Sequence, residues 1–495
     1  MNVIIPFEAS PAPTEAELIQ GDVEQAIASA CLAQSAWAAR PLEERVPIIR
    51  RTRALIADEA LSLAEAANCI CQRPLAEILS AEVLPLADAC RFLERDSERL
   101  LRARRVGWRG RPLWLTGVAS EVHREPHGLI LIIGASNYPL FLPAVQMLQA
   151  LVAGNAVLLK PGTGGSPAAE AFADILRRAG TPPDLIQVLP EPPTAAQSAI
   201  AFGVDKVVFT GSATTGESVL AQCAQTLTPA TVELSGCDAM FVRADANIEL
   251  VIRAIQFGLR LNNGATCIAP RRVFVHRALA AELEAQLRGA IFETSEFVHT
   301  QLFQCVTEAL LDGADLIQGS IQPNGRRVSV PLIIGSVNPS MRLTREDIFA
   351  PVLSLITVID DAEAIAFAAQ CPYSLGATIF SRDEAAAKAF ATKVRAGVVA
   401  INDLIVPTAD PRLPFGGRAR SGFGVTRGEE GLLEMTVPKV ISIRRGRWHS
   451  HFNAPQAGDG ELFASYIGAA HGGRWRTRLA AALEICRSIR RRRSQ

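Results

Sequence analysis

The sequence predicts an α/β protein built on a parallel β-sheet with helices packed on both faces. Three observations carry this. From Gly128 onward, short runs of Leu, Ile and Val alternate with helix-like segments. No charged residue occurs between Gly128 and Leu159. A second strand–helix alternation begins near Asn247 and ends near Asn402. Strands covered on both faces lose the in–out alternation of a half-exposed sheet and read as continuous apolar runs.

The elements follow in order. Val23 to Trp37 and Leu42 to Ala67 are Ala-rich and carry apolar residues at helical spacing. From Trp108 to Val122 the pattern becomes strand-like, with Gly and Pro marking turns, as in a hairpin leaving the main body. Leu129 to Ile133 is a strand, Leu140 to Val152 a helix and Ala156 to Leu159 a second strand. A helix over Pro167 to Gly180 and strands over Leu185 to Leu189 and Val207 to Phe209 follow. The uncharged stretch is no membrane helix, because Asn137, Pro139, Pro143, Gly154 and Asn155 leave no apolar run of about 18 residues. Arg444 to Gly473 is polar and Gly-rich without a clear period.

Composition excludes several functions. The chain has 495 residues, with 50 basic and 50 acidic side chains, so bulk charge does not hold it to nucleic acid. Its ten cysteines form no C-x-x-C pair and no ligand pattern with the seven histidines, so no metal site is expected. Irregular spacing in a core-rich chain also argues against a disulfide scaffold. Met1 to Pro13 lacks a basic region followed by an apolar run, and no signal peptide is expected. A reducing compartment, the cytoplasm, is the expected location.

Four segments carry chemistry. Ile132-Ile-Gly-Ala-Ser-Asn-Tyr-Pro-Leu140 sets Asn137 in a turn after a strand, where its amide can donate to developing negative charge. In Leu158-Leu-Lys-Pro-Gly-Thr163, Lys160 ends a strand, where parallel sheets receive ligands. Val207-Val-Phe-Thr-Gly-Ser-Ala-Thr-Thr-Gly216 joins a strand to a probable helix start, whose free N–H groups suit a pyrophosphate. Its spacing is not G-x-G-x-x-G. Finally, Glu233 in Val232-Glu-Leu-Ser-Gly236 and Cys267 in Asn262-Asn-Gly-Ala-Thr-Cys-Ile268 supply a carboxylate and a thiol. Taken singly, each has a plainer reading: a turn asparagine, a solvated lysine, a Gly-rich loop, a structural thiol.

Together and in this order the segments resemble the aldehyde dehydrogenase superfamily from about Val23 to Ile443. The family's N-x-G-x-x-C falls on Asn262, Gly264 and Cys267, and its Lys-Pro on Lys160 and Pro161. Its F-T-G-S turn falls on Phe209 to Ser212 with Gly216, and its E-x-F-G-P on Asp347 to Pro351. The late G-x-V-x-I-N, P-F-G-G and S-G-x-G fall on Gly397 to Asn402, Pro414 to Gly417 and Ser421 to Gly424. The resemblance implies a Rossmann-type cofactor domain over 1–107 and 126–234 and a catalytic domain over 235–435. It implies oligomerisation strands over 108–125 and 436–446, and hence a homodimer or homotetramer, leaving 447–495 as an extension.

The resemblance also implies roles. Cys267 attacks an aldehyde, and Asn137 with the Cys267 N–H holds the oxyanion of the thiohemiacetal. Oxidation by NAD or NADP gives a thioester, which Glu233-activated water hydrolyses to a carboxylic acid. Cofactor contacts are expected from Ser136, Lys160, Thr163, Gly211, Ser212, Gly216, Leu234, Asp347 and Phe349. Thr163, where NAD-preferring relatives commonly carry an acid, leaves room for NADP. Departures are Asp347 for Glu, Ala350 and Ser235 for Gly, Ser136 for Trp, and a shortened stretch between Cys267 and Asp347. The alternatives are a CoA-acylating or reductive member and a catalytically silent scaffold. From Arg474 the tail holds eight Arg against one Glu, with apolar residues at helical spacing, and weak contact with an anionic membrane is a further expectation.

Overall fold

Apolar strands that cannot face water on either side must be sandwiched by helices, and the computed structural model shows two such sheets. It describes residues 15–69, 72–293, 295–322, 327–446 and 449–493. Cys71 and the Met1 to Pro13 segment lie outside the described residues. The first sheet runs in the order Gly422–Phe423, Ala230–Leu234, Lys206–Gly211, Leu129–Ile133, Ala156–Lys160, Ile186–Val188. All its pairings are parallel except that of Gly422–Phe423 with Ala230–Leu234. In the second, Arg327–Gly335, Val352–Val358, Pro270–His276, Asp238–Val242, Gly376–Phe380 and Val398–Ile401 run parallel. Ser295–Val298 and Asp315–Gln322 pair antiparallel with Arg327–Gly335.

The uncharged stretch becomes strand, helix, strand. Every residue of Phe141–Ala153 except Leu142 is buried, and Gly154 at φ 102° ends that helix. Trp37, at the end of the helix Glu15–Ala38, is 2% exposed and donates its indole N–H to the Leu151 carbonyl at 2.9 Å. The start of the buried helix is satisfied from outside. Glu82, on a π-helical turn over Leu79–Val83, accepts from the Leu140 and Phe141 N–H groups at 2.9 and 3.1 Å. Glu82 also pairs with buried Arg73, whose guanidinium lies 5.3 Å from the Tyr138 ring centre. In the second sheet Phe241 and Phe274 stack at 5.4 Å.

The structure differs from the sequence reading in three elements. Leu42 to Ala67 is two helices, Leu42–Asp58 and Ala60–Ala67, broken where Glu59 leaves helical φ/ψ. Trp108 to Val122 is strand only from Val118; after Pro112, Leu113–Leu115 forms one 3-10 turn. The Gly-rich stretch before Gly473 contains a helix, Asp459–His471. Both parallel sheets lie in one compact unit, Met1–Arg104 with Val122–Val440; the second unit is Arg105–Glu121 with Ile441–Gln495. The strands Arg104–Val106, Val118–Pro126 and Thr436–Arg444 form a separate three-stranded sheet.

Trp37 joins the N-terminal helix to the buried helix by packing and by a hydrogen bond. Trp37→Ala is expected to destabilise the protein by about 3–5 kcal/mol, read as a lowered midpoint in denaturant unfolding.

Candidate active site

Parallel sheets gather loops at the carboxyl ends of their strands. One cavity of about 400 Å³ opens there. Cys267, Glu233 and Asn137 all line it, as do Ser136, Lys160, Thr163, Gly211, Ser212, Leu234, Asp347 and Phe349. Gly216 does not. A Cβ at Gly216 would stand 2.6 Å from Leu234 Cδ2, so this glycine lets the helix Ala213–Thr226 press against the strand Ala230–Leu234. Its part is close packing behind the wall.

The loop bearing Cys267 is fixed by hydrogen bonds to the Asn137 turn. Asn262 and Asn263 both take left-handed backbone, at φ 49° and 50°, which asparagine tolerates. The Asn262 amide donates to the Asn137 carbonyl at 2.8 Å and to the Ala265 carbonyl at 3.2 Å. Asn137 Nδ2 donates to the same Ala265 carbonyl at 2.9 Å, and Tyr138 Oη lies 2.7 Å from Thr266 Oγ1. Gly264, at φ +71°, has no room for a Cβ, which would stand 2.7 Å from Pro351 Cα.

Glu233 is 3% exposed. Its Oε2 accepts from Thr426 Oγ1 at 3.2 Å, and Oε1 has no partner. Burial pushes its pKa up, against the pull of Arg427 and Thr426. The Cys267 thiol is also pushed up, first by burial, then by Glu233 and Asp238, while Arg427 pulls it down. Two acids facing one cavity resist ionising together. Arg427 is the nearby cation. It is 6% exposed, donates to the Thr408 carbonyl at 2.5 Å, and lies 4.3 Å from the Phe415 ring centre. Sequence reasoning missed Arg427. Its only signal was a charged residue beside Gly428 in a Gly-rich turn.

The remaining wall suits a dinucleotide. Ser212 caps the helix Ala213–Thr226 by accepting from the Thr215 N–H at 3.3 Å, so a helix N-terminus borders the cavity. Lys160 is buried at its strand end, which lowers its pKa. Two of the departures touch each other: Ser235 Oγ donates to Asp347 Oδ2. Asp347 Oδ1 is buried without a partner, an acceptor awaiting a donor.

A parallel-sheet protein whose strand-end cavity is lined by a helix N-terminus, a lysine, a carboxylate and a thiol is the class these features define. The chain matches the model of the aldehyde dehydrogenase family over residues 1–441, and it belongs to that family. It is 30% identical over 439 residues to 4,4'-diapolycopene aldehyde oxidase of Methylomonas sp, covering 86% of this chain and 82% of that one. It is 30% identical over 447 residues to a Mycolicibacterium smegmatis protein provisionally named succinate-semialdehyde dehydrogenase, NADP(+), covering 86% and 85%. Among solved structures, NADP-dependent glyceraldehyde-3-phosphate dehydrogenase from Bacillus halodurans C-125, complexed with NADP, superimposes with a TM-score of 0.77. That pair shares 29% identity and covers 86% of this chain and 91% of the other. The protein is an oxidoreductase that oxidises aldehydes with NAD(P).

Arg427 favours the ionised forms of both Glu233 and Cys267. Arg427→Met should therefore move the rising limb of the kcat/KM–pH profile to higher pH. Activity at neutral pH falls about tenfold for each unit of movement and recovers in alkali. A purely structural role would lower the whole profile without moving it.

Proposed function

We propose that the protein converts an aldehyde to a carboxylic acid through a covalent thioester on Cys267. The observation that carries this is the shared cavity, which Cys267, Glu233 and Asn137 line together with the residues suited to a nucleotide. The Cys267 thiol gives its proton to solvent and Sγ attacks the carbonyl carbon, whose π electron pair moves to oxygen to give the anion of a thiohemiacetal. The Asn137 amide and the Cys267 N–H stabilise its oxyanion, because fixed donors in a dry site need little reorganisation. The chemistry that a nicotinamide supplies when bound is two-electron oxidation of this adduct to the thioester. Glu233 then takes a proton from water, whose oxygen attacks the thioester carbon and releases the acid and the thiol.

Burial raises the pKa of Glu233, which makes its carboxylate a stronger base toward water. Its unpartnered Oε1 supports hydrolysis over transfer to an external thiol. Lys160, Thr163, Ser136, Gly211 and Ser212 would hold the adenosine and pyrophosphate, with Leu234, Phe349 and Asp347 at the nicotinamide end. The Asp347 Oδ1 acceptor suits a ribose hydroxyl. We further propose that the enzyme works in the cytoplasm as a homodimer or homotetramer assembled through the strands Val118–Pro126 and Thr436–Arg444. All the described cysteines are free thiols, in keeping with that compartment.

Cys267→Ala should leave less than about a hundredth of the oxidation rate with nucleotide binding retained. Glu233→Gln should keep a pre-steady-state burst of reduced cofactor while steady turnover falls by about 10²–10⁴. Stopped-flow absorbance reads both, and loss of the burst in Glu233→Gln would move Glu233 from deacylation to thiol activation.

Thr163 is exposed and neutral, so it does not repel a 2′-phosphate and can donate to one. NADP should be used at least as well as NAD. Thr163→Glu should shift the ratio of kcat/KM values toward NAD; strict NAD dependence of the unmodified enzyme would refute this.

A further inference from the structure

We infer that the unit formed by Arg105–Glu121 and Ile441–Gln495 is a docking surface for an anionic phospholipid membrane. The inference is independent of the aldehyde chemistry. It begins with a missing core: among the described residues of this unit, none is buried. Its two long helices, Asp459–His471 and Trp475–Arg493, form a hairpin. Arg478 closes the bend, donating to the Ala469 and Ala470 carbonyls at 3.0 and 3.2 Å. Gly468 lets the helices approach, since a Cβ there would stand 3.1 Å from that of Ala481.

The hairpin settles one side of each helix and leaves the other in water. Trp475, Leu479 and Leu483, spaced four apart, are 69%, 59% and 54% exposed, and Phe463 on the first helix is 65% exposed.

Charge follows the same boundary. By sequence, these segments hold fourteen Arg and no Lys against four acidic residues. Their net charge of +10 sits in a chain whose total is zero, so the rest carries −10. Arginine stems can lie along apolar surface while the head reaches polar groups. Tryptophan favours the membrane–water boundary. On the helix Trp475–Arg493 the arginines interleave with Trp475, Leu479 and Leu483, Arg476 lying 5.4 Å from the Trp475 ring centre, so apolar side chains and charged heads meet one headgroup layer. No helix among the described residues is long and apolar enough to cross one, so the surface rests on the lipid. Exposed Leu and Phe side chains would gain little on a nucleic-acid backbone. The strands Val118–Pro126 and Thr436–Arg444 are those proposed above for a second copy, so the part that meets lipid is the helical pair Asp459–His471 and Trp475–Arg493.

The test uses the full chain with vesicles of mixed phosphatidylglycerol and phosphatidylcholine, and with vesicles of phosphatidylcholine alone. Co-flotation should be strong on the mixed vesicles at low salt, with a blue shift of tryptophan emission. It should fall about tenfold or more as salt shortens the screening length from about 30 Å to about 3 Å. The variant carrying Trp475→Ser, Leu479→Ser and Leu483→Ser should lose the co-flotation while oxidising a water-soluble aldehyde normally. These side chains are exposed, and far-UV circular dichroism checks that the hairpin persists. No binding at low salt overturns the inference, as does equal binding by the variant or by neutral vesicles. Retention on duplex DNA with none on vesicles reassigns the surface to nucleic acid. Absence of vesicle binding, with a change of oligomeric state in the variant by sedimentation velocity, reassigns it to a second copy.

Discussion

The site depends on one side-chain amide. Asn262 reaches across from the loop that carries Cys267 to the carbonyl of Asn137, 125 residues earlier. Two further hydrogen bonds, from Asn137 Nδ2 to the Ala265 carbonyl and between Tyr138 Oη and Thr266 Oγ1, join the same two segments, so the Cys267 loop and the Asn137 turn are held at one separation. Each end of the bridge is braced in turn. The Glu77 carboxylate accepts from the Asn262 N–H at 2.9 Å, and Glu82 holds the N–H groups that follow the Asn137 turn. Glu77 and Glu82 come from the same N-terminal helical segment, so that segment sets the register between the two sheets. Left-handed backbone at Asn262 and Asn263 is the local strain this arrangement must hold.

Besides Lys160, which lines the cavity, two buried arginines act on its acidic groups. Arg427 acts on Glu233 and Cys267. Arg271 is buried too; it donates to the Gly264 carbonyl at 2.5 Å and faces Asp347. Asp347 is pushed up by burial and pulled down by Ser235 and Arg271. The Ser235 hydroxyl holds one oxygen of this shorter carboxylate and leaves the other open. Asp for Glu and Ser for Gly therefore read as one coupled change, in which the hydroxyl fixes a carboxylate whose reach is one methylene less.

Much of this was legible in the sequence because it is local. Leu129–Ile133 and the buried helix after it follow from apolar content bounded by Asn, Pro and Gly, and the turn residues mark where strands hand over to loops. Eleven of the twelve expected site residues line the cavity, because parallel strands deliver their ends to one edge whatever lies between. What stayed hidden is non-local. The contact of Ser235 with Asp347 joins residues 112 apart, and nothing in either neighbourhood announces the other. Arg427 sits in a turn whose glycines explain themselves as backbone devices, so its burial beside Glu233 emerges only in three dimensions. Gly216 fits a phosphate turn equally well in sequence, but packing against Leu234 is the contact it makes.

The neutral composition was the least reliable guide, for a physical reason. A partner feels charge within about a screening length, about 8–10 Å at ordinary ionic strength, and never the sum over 495 residues. A total of zero can therefore describe an evenly mixed surface or two opposed ones. Here the segments of the unit that has no core among its described residues sum to +10 and the rest of the chain to −10. A coreless unit cannot draw stability from its own burial, so its exposed apolar side chains have something to gain only from a partner. Its arginines select the sign of that partner. Positive charge and exposed apolar side chains in the same segments give the second unit a meaning that net charge concealed.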